Sequence, residues 1–322
     1  FFIGIENQTT PLTRLNYAND LIVFFNYLLL NEKQRLGLYC DSIAEITLDN
    51  LRKVDSIMIE KFLSYVSMYD DNDKNICYTN TEKGKARKLS TLRSFFGYYF
   101  KKNLLDSNVA AKVDIPKQHS KPIIRLENNE VNNILDVAEN PEQFSEHQNK
   151  YLRHCSTRDN ALLTLMLGTG IRVSECVGLN VDDFDFSTNS FKVVRKGGNQ
   201  TILYFSNEVA DTLKNYLSYR STLNIPENEK ALFLSLQNKR LGVRSVEKLV
   251  KKYALVVTPL KNITPHKLRS TYGTALYRET GNIYIVADVL GHKDINTTKK
   301  HYAAISEDMR KDVANIVKLK KE

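Results

Sequence analysis

The sequence contains short patterns of arginine, lysine, histidine and tyrosine that are suited to chemistry on a phosphate group. In Gly168-Thr-Gly-Ile-Arg-Val-Ser-Glu175, a glycine turn separates two helical stretches and places Arg172 at the start of the second. A guanidinium and the unsatisfied amides of a helix start both attract anions, so we expect an anion-binding cradle here. Glu175, one turn along, is placed to orient the guanidinium.

A second candidate pair lies in Thr264-Pro-His-Lys-Leu-Arg269. Thr264 as cap and Pro265 at the first helical position predict a helix start, so His266 and Arg269, three residues apart, share a face. An imidazole beside a guanidinium fork can transfer a proton and hold two phosphate oxygens.

The remaining candidates are a lysine, a histidine and a tyrosine. Lys196 stands in Lys196-Gly-Gly-Asn199, which predicts a hairpin turn between two β-prone runs. Gly291 is expected to end a short helix and to present His292 at the break. The next predicted helix carries Tyr302 on its second turn. Taken alone, each residue also fits an ordinary role, such as a solvated turn lysine or a packed tyrosine.

Together these patterns resemble the tyrosine recombinase, or phage-integrase, family, whose signature is Arg, Lys, His-x-x-Arg, His and a nucleophilic Tyr, in that order. The runs Leu167-Gly-Thr-Gly-Ile-Arg-Val-Ser-Glu175, His266-Lys-Leu-Arg-Ser-Thr-Tyr-Gly-Thr-Ala-Leu276 and Leu290-Gly-His-Lys-Asp-Ile-Asn-Thr-Thr298 are similar to family text. The resemblance is strongest over residues 123 to 310. It implies the catalytic set Arg172, Lys196, His266, Arg269, His292 and Tyr302, with Glu175 in support. Ser270 and Tyr272 depart from the family's frequent His and Phe.

The resemblance implies that DNA strands are cut and rejoined through a 3′-phosphotyrosyl intermediate. Arg172 and Arg269 would neutralise the phosphorane, and His292 would donate a further hydrogen bond. His266 would help accept the phenol proton, while Lys196 would protonate the departing 5′-hydroxyl. We expect no cofactor and no metal, because the arginines take the electrostatic role and a two-metal site would need a carboxylate cluster.

The elements that position these residues are predicted to form two domains, since 322 residues exceed the usual single core. Residues 1–115 are expected to form a helical core-binding domain, 116–122 a proline-bounded linker, and 123–322 the catalytic domain with a C-terminal exchange helix. The expected fold class is mainly α with a small β-sheet: a helical core-binding domain followed by an α+β tyrosine recombinase catalytic domain.

The first domain is predicted to be helical throughout, from Thr10 to about Leu105. A helix near residues 83–99 combines an apolar stripe with a basic, small-polar face. Such a face suits a DNA major groove, although an ordinary solvated face is the alternative. The predicted DNA contacts on it are Lys83, Arg87 and Thr91.

The second domain mixes helical and β-prone runs. Helices are predicted near 129–139, 158–167, 207–219 and 244–256, and strands at 190–195 and 200–205. The basic helix at 244–256 resembles the family's second groove-reading element. The resemblance therefore implies DNA contacts by Arg240, Arg244 and Lys248.

Composition supports a polyanionic partner and excludes a membrane span. The formal net charge is +9, which attracts phosphate-bearing ligands but does not separate DNA from RNA or anionic lipid. The longest apolar cluster, residues 21–30, is too short to cross a bilayer. The four cysteines show no zinc-type spacing and indicate reduced thiols. His154 and Cys155 are sequence neighbours, whose side chains seldom face each other, so we do not expect them to form a thiol–imidazole pair. The reduced thiols predict a cytoplasmic protein, and the resemblance implies that it is bacterial and associated with the nucleoid.

The expected partner is double-stranded DNA with an inverted-repeat core site. The resemblance implies a homotetramer on paired sites, formed when the C-terminal helix within 306–322 passes to a neighbour; an intramolecular cap is the alternative. An accessory protein or a second recombinase would be a further partner. The chain begins near the core-binding domain, which favours an Xer-like enzyme, although a mobile-element integrase stays open because upstream residues can be missing.

Three other functions remain as alternatives. A type IB topoisomerase-like enzyme would share the nucleophile but relax one duplex without pairing sites. A noncatalytic DNA-binding regulator would not need the complete set of six residues. A metal-dependent nuclease would need divalent metal and would leave no covalent adduct.

Overall fold

The computed structural model describes residues 1–38, 42–71, 76–117, 124–141, 144, 152, 154–195, 198–292 and 295. The chain divides into two compact units, residues 1–121 and 122–322. This division falls within the proline-bounded segment 116–122.

None of the helices described is both long enough and apolar enough to span a lipid bilayer.

The first unit is mainly helical. Its elements are α1 (Pro11–Asn31), α2 (Lys33–Leu36), α3 (Leu48–Arg52), α4 (Ser56–Tyr65), β1 (Met68–Asp71), β2 (Ile76–Thr79) and α5 (Glu82–Lys101), with short 3-10 turns at Ile3–Gln8, Ile43–Glu45 and Val109–Lys112.

Two helix starts in this unit follow the predicted capping. The Thr10 hydroxyl accepts a hydrogen bond from the Thr13 amide at 3.2 Å, and Pro11 occupies the first turn. The Asp55 carboxylate accepts from the Met58 amide at 2.8 Å. These helices pack around one core, whose fully buried side chains include Phe24, Phe62 and Phe96.

The prediction that this unit is helical throughout is wrong at residues 68–79. Strands β1 and β2 form an antiparallel hairpin there, with Tyr69 opposite Tyr78. The two rings stack with centroids 5.4 Å apart, a cross-strand contact that stabilises a two-stranded pair. β-prone residues flanking an Asp/Asn-rich run favour this hairpin over a helix.

The structure corrects the predicted DNA-facing surface of α5. Thr91 has no solvent exposure, and its hydroxyl donates to the buried Asp20 carboxylate at 2.8 Å. Arg87 also forms an ion pair with Asp20, but half of its side chain is exposed. Lys83 is exposed as well. Thr91 is therefore a packing residue, because α1 covers that side of the helix with Asp20.

The second unit contains the remaining elements. They are α6 (Asn128–Glu139), α7 (Ser156–Thr169), α8 (Val173–Gly178), β3 (Phe184–Asp185), β4 (Ser190–Val194), β5 (Gln200–Tyr204), α9 (Asn207–Ser221), α10 (Val243–Val257), α11 (Pro265–Thr280) and α12 (Ile283–Leu290), with a 3-10 turn at Val181–Asp183.

The predicted hairpin of this unit is confirmed, and β3 extends it to a three-stranded antiparallel sheet. Alternate residues Phe191 and Val193 of β4 are buried, as is Leu203 of β5, so one face of the sheet covers the core. The predicted helices at 129–139, 158–167, 207–219 and 244–256 are also confirmed, each within two residues at either end.

Helix α12 packs outside this main core. Its buried Val286 and Leu290 form a separate small cluster with Tyr272 and Tyr277 of α11. The helix ends at Gly291, as predicted, in a left-handed conformation with φ of 60°. Among the described residues, the end of α12 is therefore held by few apolar contacts and by the polar contacts described next.

Candidate active site

Arg172 occupies the N-cap position of α8, as predicted. Its Nη1 donates to Glu175 Oε1 at 2.7 Å, and its backbone amide donates to Glu175 Oε2 at 3.1 Å. One third of the Arg172 side chain is exposed, whereas Glu175 is buried. Glu175 thus fixes the guanidinium, and it also occupies one of the amides that the sequence suggested as part of an open anion cradle.

Arg269 reaches the same place from α11. Its side chain is buried, and its Nη1 donates to the carbonyl of Gly170 at 2.6 Å. Its Nη2 donates to the carbonyl of Leu290. Arg269 therefore ties the turn between α7 and α8 to the end of α12.

Three successive carbonyls at the end of α12 each accept from a different guanidinium. Arg195 donates to the carbonyl of Val289 at 2.9 Å, and Arg269 donates to that of Leu290. Arg172 donates to the carbonyl of Gly291 at 2.9 Å. The last carbonyls of a helix lack intrahelical partners and carry partial negative charge, so they attract cations. The helix end thereby gathers three positive charges beside His292.

Gly170 allows these elements to approach closely. Its φ is +62°, which favours glycine. A Cβ built there would lie 2.9 Å from Leu290 and would clash with the Tyr272 ring. The turn that leads to Arg172 therefore packs directly on α11 and α12.

The two candidate histidines lie at the ends of α11 and α12. His266, the second residue of α11, is exposed, while His292 directly follows Gly291 and is half-buried. The His292 amide donates to the carbonyl of Ala287 at 2.9 Å, which fixes its backbone against α12. Thr264 is the N-cap of α11 as predicted, but its side chain makes no capping hydrogen bond.

Residues 125–309 match the family model described as the phage integrase family. The chain belongs to this family. A tyrosine recombinase XerC from Caldanaerobacter subterraneus subsp. tengcongensis is 31% identical over 98% of this chain and 84% of its own length. Another XerC, from Psychromonas ingrahamii, is 34% identical over 92% of this chain and 87% of its own length. The chain is therefore a site-specific tyrosine recombinase.

Solved structures share the fold at lower identity. The XerH site-specific recombinase bound to a palindromic difH substrate, in a post-cleavage complex, has a TM-score of 0.66 at 18% identity and covers 84% of this chain and 74% of its own. A lambda integrase dimer (residues 75–356) bound to a COC′ core site has a TM-score of 0.60 at 16% identity. The match covers 92% of this chain and 93% of the integrase chain. The recombinase thus has the mainly helical fold with a small sheet that the sequence predicted.

Two of the predicted catalytic residues, Lys196 and Tyr302, lie outside the described residues, as does the C-terminal segment 306–322. The structure brings together Arg172, Glu175 and Arg269, and it places His292 next to the carbonyl bonded by Arg172. His266 is on the same helix as Arg269, one turn nearer its start.

Arg195 was missed by sequence reasoning. It follows β4 and closes the hairpin of the recombinase, since its amide donates to the Asn199 carbonyl at 2.8 Å and its carbonyl accepts from Gly198 at 3.0 Å. Its side chain leaves the sheet and reaches the Val289 carbonyl. Burial lowers the pKa of Arg195, Glu175 opposes this shift, and Arg172 adds to it. The one signal in the sequence for Arg195 is that it directly precedes the candidate catalytic residue Lys196.

The predicted DNA contacts near α10 differ in their surroundings. Arg244 and Lys248 are exposed on this helix. Arg240 instead donates to the carbonyls of Val177 at 2.8 Å and Leu179 at 3.0 Å, and to Asn180 Oδ1 at 2.6 Å. Arg240 is exposed as well, so these bonds hold the loop at residues 177–180 while its contact with DNA stays a prediction.

A buried polar cluster in the second unit was also missed. Asp159, at 1% exposure, accepts from Arg158 at 2.6 Å, from Tyr253 at 2.9 Å and from Lys252 at 3.4 Å. Burial raises the pKa of the neighbouring Cys155 thiol, so that cysteine stays neutral. A buried carboxylate with these donors is a structural centre, and sequence spacing alone does not reveal it.

Proposed function

We propose that the recombinase cleaves and rejoins DNA strands through a 3′-phosphotyrosyl intermediate, with Tyr302 as nucleophile. The observation that carries this proposal is the meeting of Arg172 and Arg269 at adjacent carbonyls, Gly291 and Leu290, beside His292. Two guanidiniums that meet at the backbone next to a histidine match what an anionic phosphodiester needs for attack by a phenol.

The arginines supply the electrostatic part of the reaction. A phosphodiester repels nucleophiles because it is anionic, and negative charge on its nonbridging oxygens grows in the pentacoordinate state. Arg172, fixed by Glu175 and partly exposed, binds one nonbridging oxygen. Arg269 places its charge behind the turn at Gly170, and His292 donates a further hydrogen bond.

Proton transfers complete the reaction. The Tyr302 oxygen attacks phosphorus as its proton passes to His266, and the bond from phosphorus to the 5′-oxygen breaks. Lys196 gives its proton to the departing 5′-oxygen. In the reverse direction a 5′-hydroxyl from another strand attacks the phosphotyrosine and releases Tyr302. The phosphotyrosyl bond conserves the energy of the broken phosphodiester, so no ATP is consumed.

DNA is the proposed macromolecular partner. The fold relatives named above are bound to difH and COC′ core sites, and this chain carries a formal net charge of +9. Arg244 and Lys248 on α10 and Lys83 and Arg87 on α5 are exposed cations that fit phosphate contacts. The expected substrate is a duplex with an inverted-repeat core site.

Recombination requires paired sites, so we further propose a homotetramer formed by exchange of the C-terminal segment 306–322. Among the biological roles, an Xer-type role is favoured because the XerC relatives match over 84% and 87% of their own lengths. Integration or excision of a mobile element is the second role, and a second recombinase or accessory protein is the expected additional partner.

The test uses nicked inverted-repeat duplexes, in which a nick near the cleavage position releases a short fragment and traps the covalent adduct. Wild type is compared with Tyr302→Phe and, as a matched control, with Tyr284→Phe, which alters an exposed tyrosine of α12. We expect a protein–DNA band on denaturing gels in wild type and Tyr284→Phe, unaffected by chelator, and none in Tyr302→Phe. A band in Tyr302→Phe would place the nucleophile elsewhere.

The same preparation separates the alternatives. Relaxation of supercoiled plasmid by a monomer, without synapsis of two sites, would indicate topoisomerase-like activity. Specific binding without adduct on any nicked site would indicate a regulator, and cleavage that requires a divalent metal would indicate a nuclease.

A further inference from the structure

The side chain of Arg195 lies among the residues that surround the proposed phosphate site, although the proposed reaction does not use it. Its Nη2 donates to Val289, next to the carbonyls bonded by Arg269 and Arg172. Its Nη1 lies against the Cα of Gly291, so that a side chain at position 291 would clash with it. Arg195 and Arg172 therefore approach Gly291 from two directions.

Two polar atoms of Arg195 have unsatisfied hydrogen-bonding capacity. Its Nε and Nη1 are buried, and no acceptor within the described part of the chain lies within hydrogen-bond distance of either. Buried N–H groups of a native protein are nearly always bonded, so such a pair calls for an explanation. A partly buried cation with so few bonded acceptors is accounted for when an anion lies nearby in its field, without a direct bond to these two atoms.

Within the described residues, the positive charge of Arg195 is only partly compensated by carboxylates. Glu175 and Asp288 lie close enough to interact with Arg195 electrostatically, and Arg172 opposes them. Both carboxylate oxygens of Glu175 already accept hydrogen bonds from Arg172. Among the described residues, no carboxylate lies within ion-pair distance of Arg195, so the field at this guanidinium favours a further negative charge.

We propose that Arg195 is a third phosphate-directed arginine: it braces the end of α12 through Val289 and adds positive charge to the phosphate held by Arg172 and Arg269. Because its Nε and Nη1 are covered, Arg195 acts as a positioning residue through the α12 terminus and through its field, without touching the phosphate in this conformation. This inference rests on the proposed function of the site.

The first experiment measures anion binding without DNA. Inorganic phosphate is titrated against chloride at equal ionic strength, and the shift in Tm is recorded for wild type, Arg195→Gln, Arg195→Lys and Arg220→Gln. Arg220 is the matched control because its guanidinium also binds backbone carbonyls, those of Ala231 and Glu229, in the same unit.

We expect the phosphate-specific part of the Tm shift to be the same in Arg220→Gln as in wild type and to fall by at least about half in Arg195→Gln. Arg195→Lys keeps the charge and is expected to keep most of the shift. An unchanged shift in Arg195→Gln would overturn the proposal, even if that variant were less stable overall.

The second experiment compares covalent adduct formation on a scissile phosphate and on a neutral methylphosphonate at the same position. Arg195→Gln is expected to lose on the order of 10-fold in rate on the phosphate, less than the roughly 100-fold typical of a directly contacting donor. On the methylphosphonate the loss should fall within about 3-fold, because the reacting group carries one negative charge fewer for Arg195 to neutralise.

Equal losses on both substrates would mean that Arg195 only supports the fold, and would overturn the proposal. Failure of the proposed function has a different signature: wild type would form no adduct with either substrate, while the phosphate-dependent Tm shift still depended on Arg195.

Discussion

The carboxylate of Glu175 binds Arg172 at two points, through the guanidinium at 2.7 Å and through the backbone amide at 3.1 Å. A single buried side chain therefore sets both the start of α8 and the direction of the arginine that follows the Gly170 turn. Because one oxygen serves each contact, the carboxylate cannot be replaced by an amide without losing one acceptor.

The first prediction concerns Glu175→Gln. We expect adduct formation on nicked DNA to fall by about 10- to 100-fold, because a small misplacement of a group that binds the reacting phosphate is costly. Glu208→Gln, an exposed first-turn glutamate on α9, is the control and should be neutral. A wild-type rate in Glu175→Gln would show that Arg172 does not depend on this carboxylate.

Gly170→Ala should damage both folding and catalysis. The left-handed backbone and the overlap with Tyr272 together are expected to lower the free energy of unfolding by about 2–4 kcal/mol in urea titrations. Gly178→Ala is the matched control, since a Cβ there meets no atom within 4 Å. An equal loss of unfolding free energy in both variants would contradict the idea that position 170 needs glycine because of its close packing.

Asp159→Asn should be among the most destabilising single substitutions in the second unit. The change leaves the buried Arg158 cation without its carboxylate, which costs about 3–5 kcal/mol of unfolding free energy. Asp211→Asn, on the exposed side of α9, should change stability by less than about 0.5 kcal/mol. A loss below about 1 kcal/mol in Asp159→Asn would mean that the cluster contributes little.

The exposed cations of α10 should govern the salt dependence of DNA binding. Arg244→Ala and Lys248→Ala are each expected to reduce the slope of log affinity against log salt by about 0.9, the value for one phosphate contact on duplex DNA. Arg240→Ala should leave the slope unchanged and lower stability, because its guanidinium binds Val177 and Leu179. A smaller slope in Arg240→Ala would show that Arg240 contacts a DNA phosphate as well.

Thiol reactivity should differ between exposed and buried cysteines. A hydrogen bond to Asp70, with smaller contributions from burial and from the charge of Asp70, raises the pKa of the exposed Cys77 thiol, so less of it is thiolate at a given pH. Asp70→Asn should lower that pKa and move the pH–rate curve for alkylation to lower pH. Burial raises the pKa of Cys176 to about 12, so Cys176 should react only on unfolding.

Mass spectrometry of a Cys40→Ser variant provides the readout for both cysteines. Alkylation rates that are identical with and without Asp70 across the pH range would contradict the hydrogen bond between the two strands of the β1–β2 hairpin.

The local patterns of the sequence predicted elements correctly where neighbouring residues decide the conformation. The caps at Thr10 and Asp55, the stop at Gly291 and the hairpin around Gly198 depend on backbone preferences within a few residues. The α5 surface was predicted less well. Helical periodicity says that Arg87 and Thr91 share a face, but it cannot say that Asp20 of α1 covers Thr91.

Arg195 illustrates the same limit at the candidate site. In the sequence it is one of 46 lysine and arginine residues, and nothing in its spacing relates it to Val289. The order and types of the candidate catalytic residues, from Arg172 to Tyr302, are properties of the sequence alone.

The tertiary structure decided that Arg172, Arg195 and Arg269 meet at successive carbonyls of one helix end. The physical reason is that these contacts join residues 21, 94 and 119 positions apart, so they form only once α8, α11 and the hairpin are packed against α12. The carbonyls of that helix end lack intrahelical partners, so they attract cations wherever packing brings them within reach.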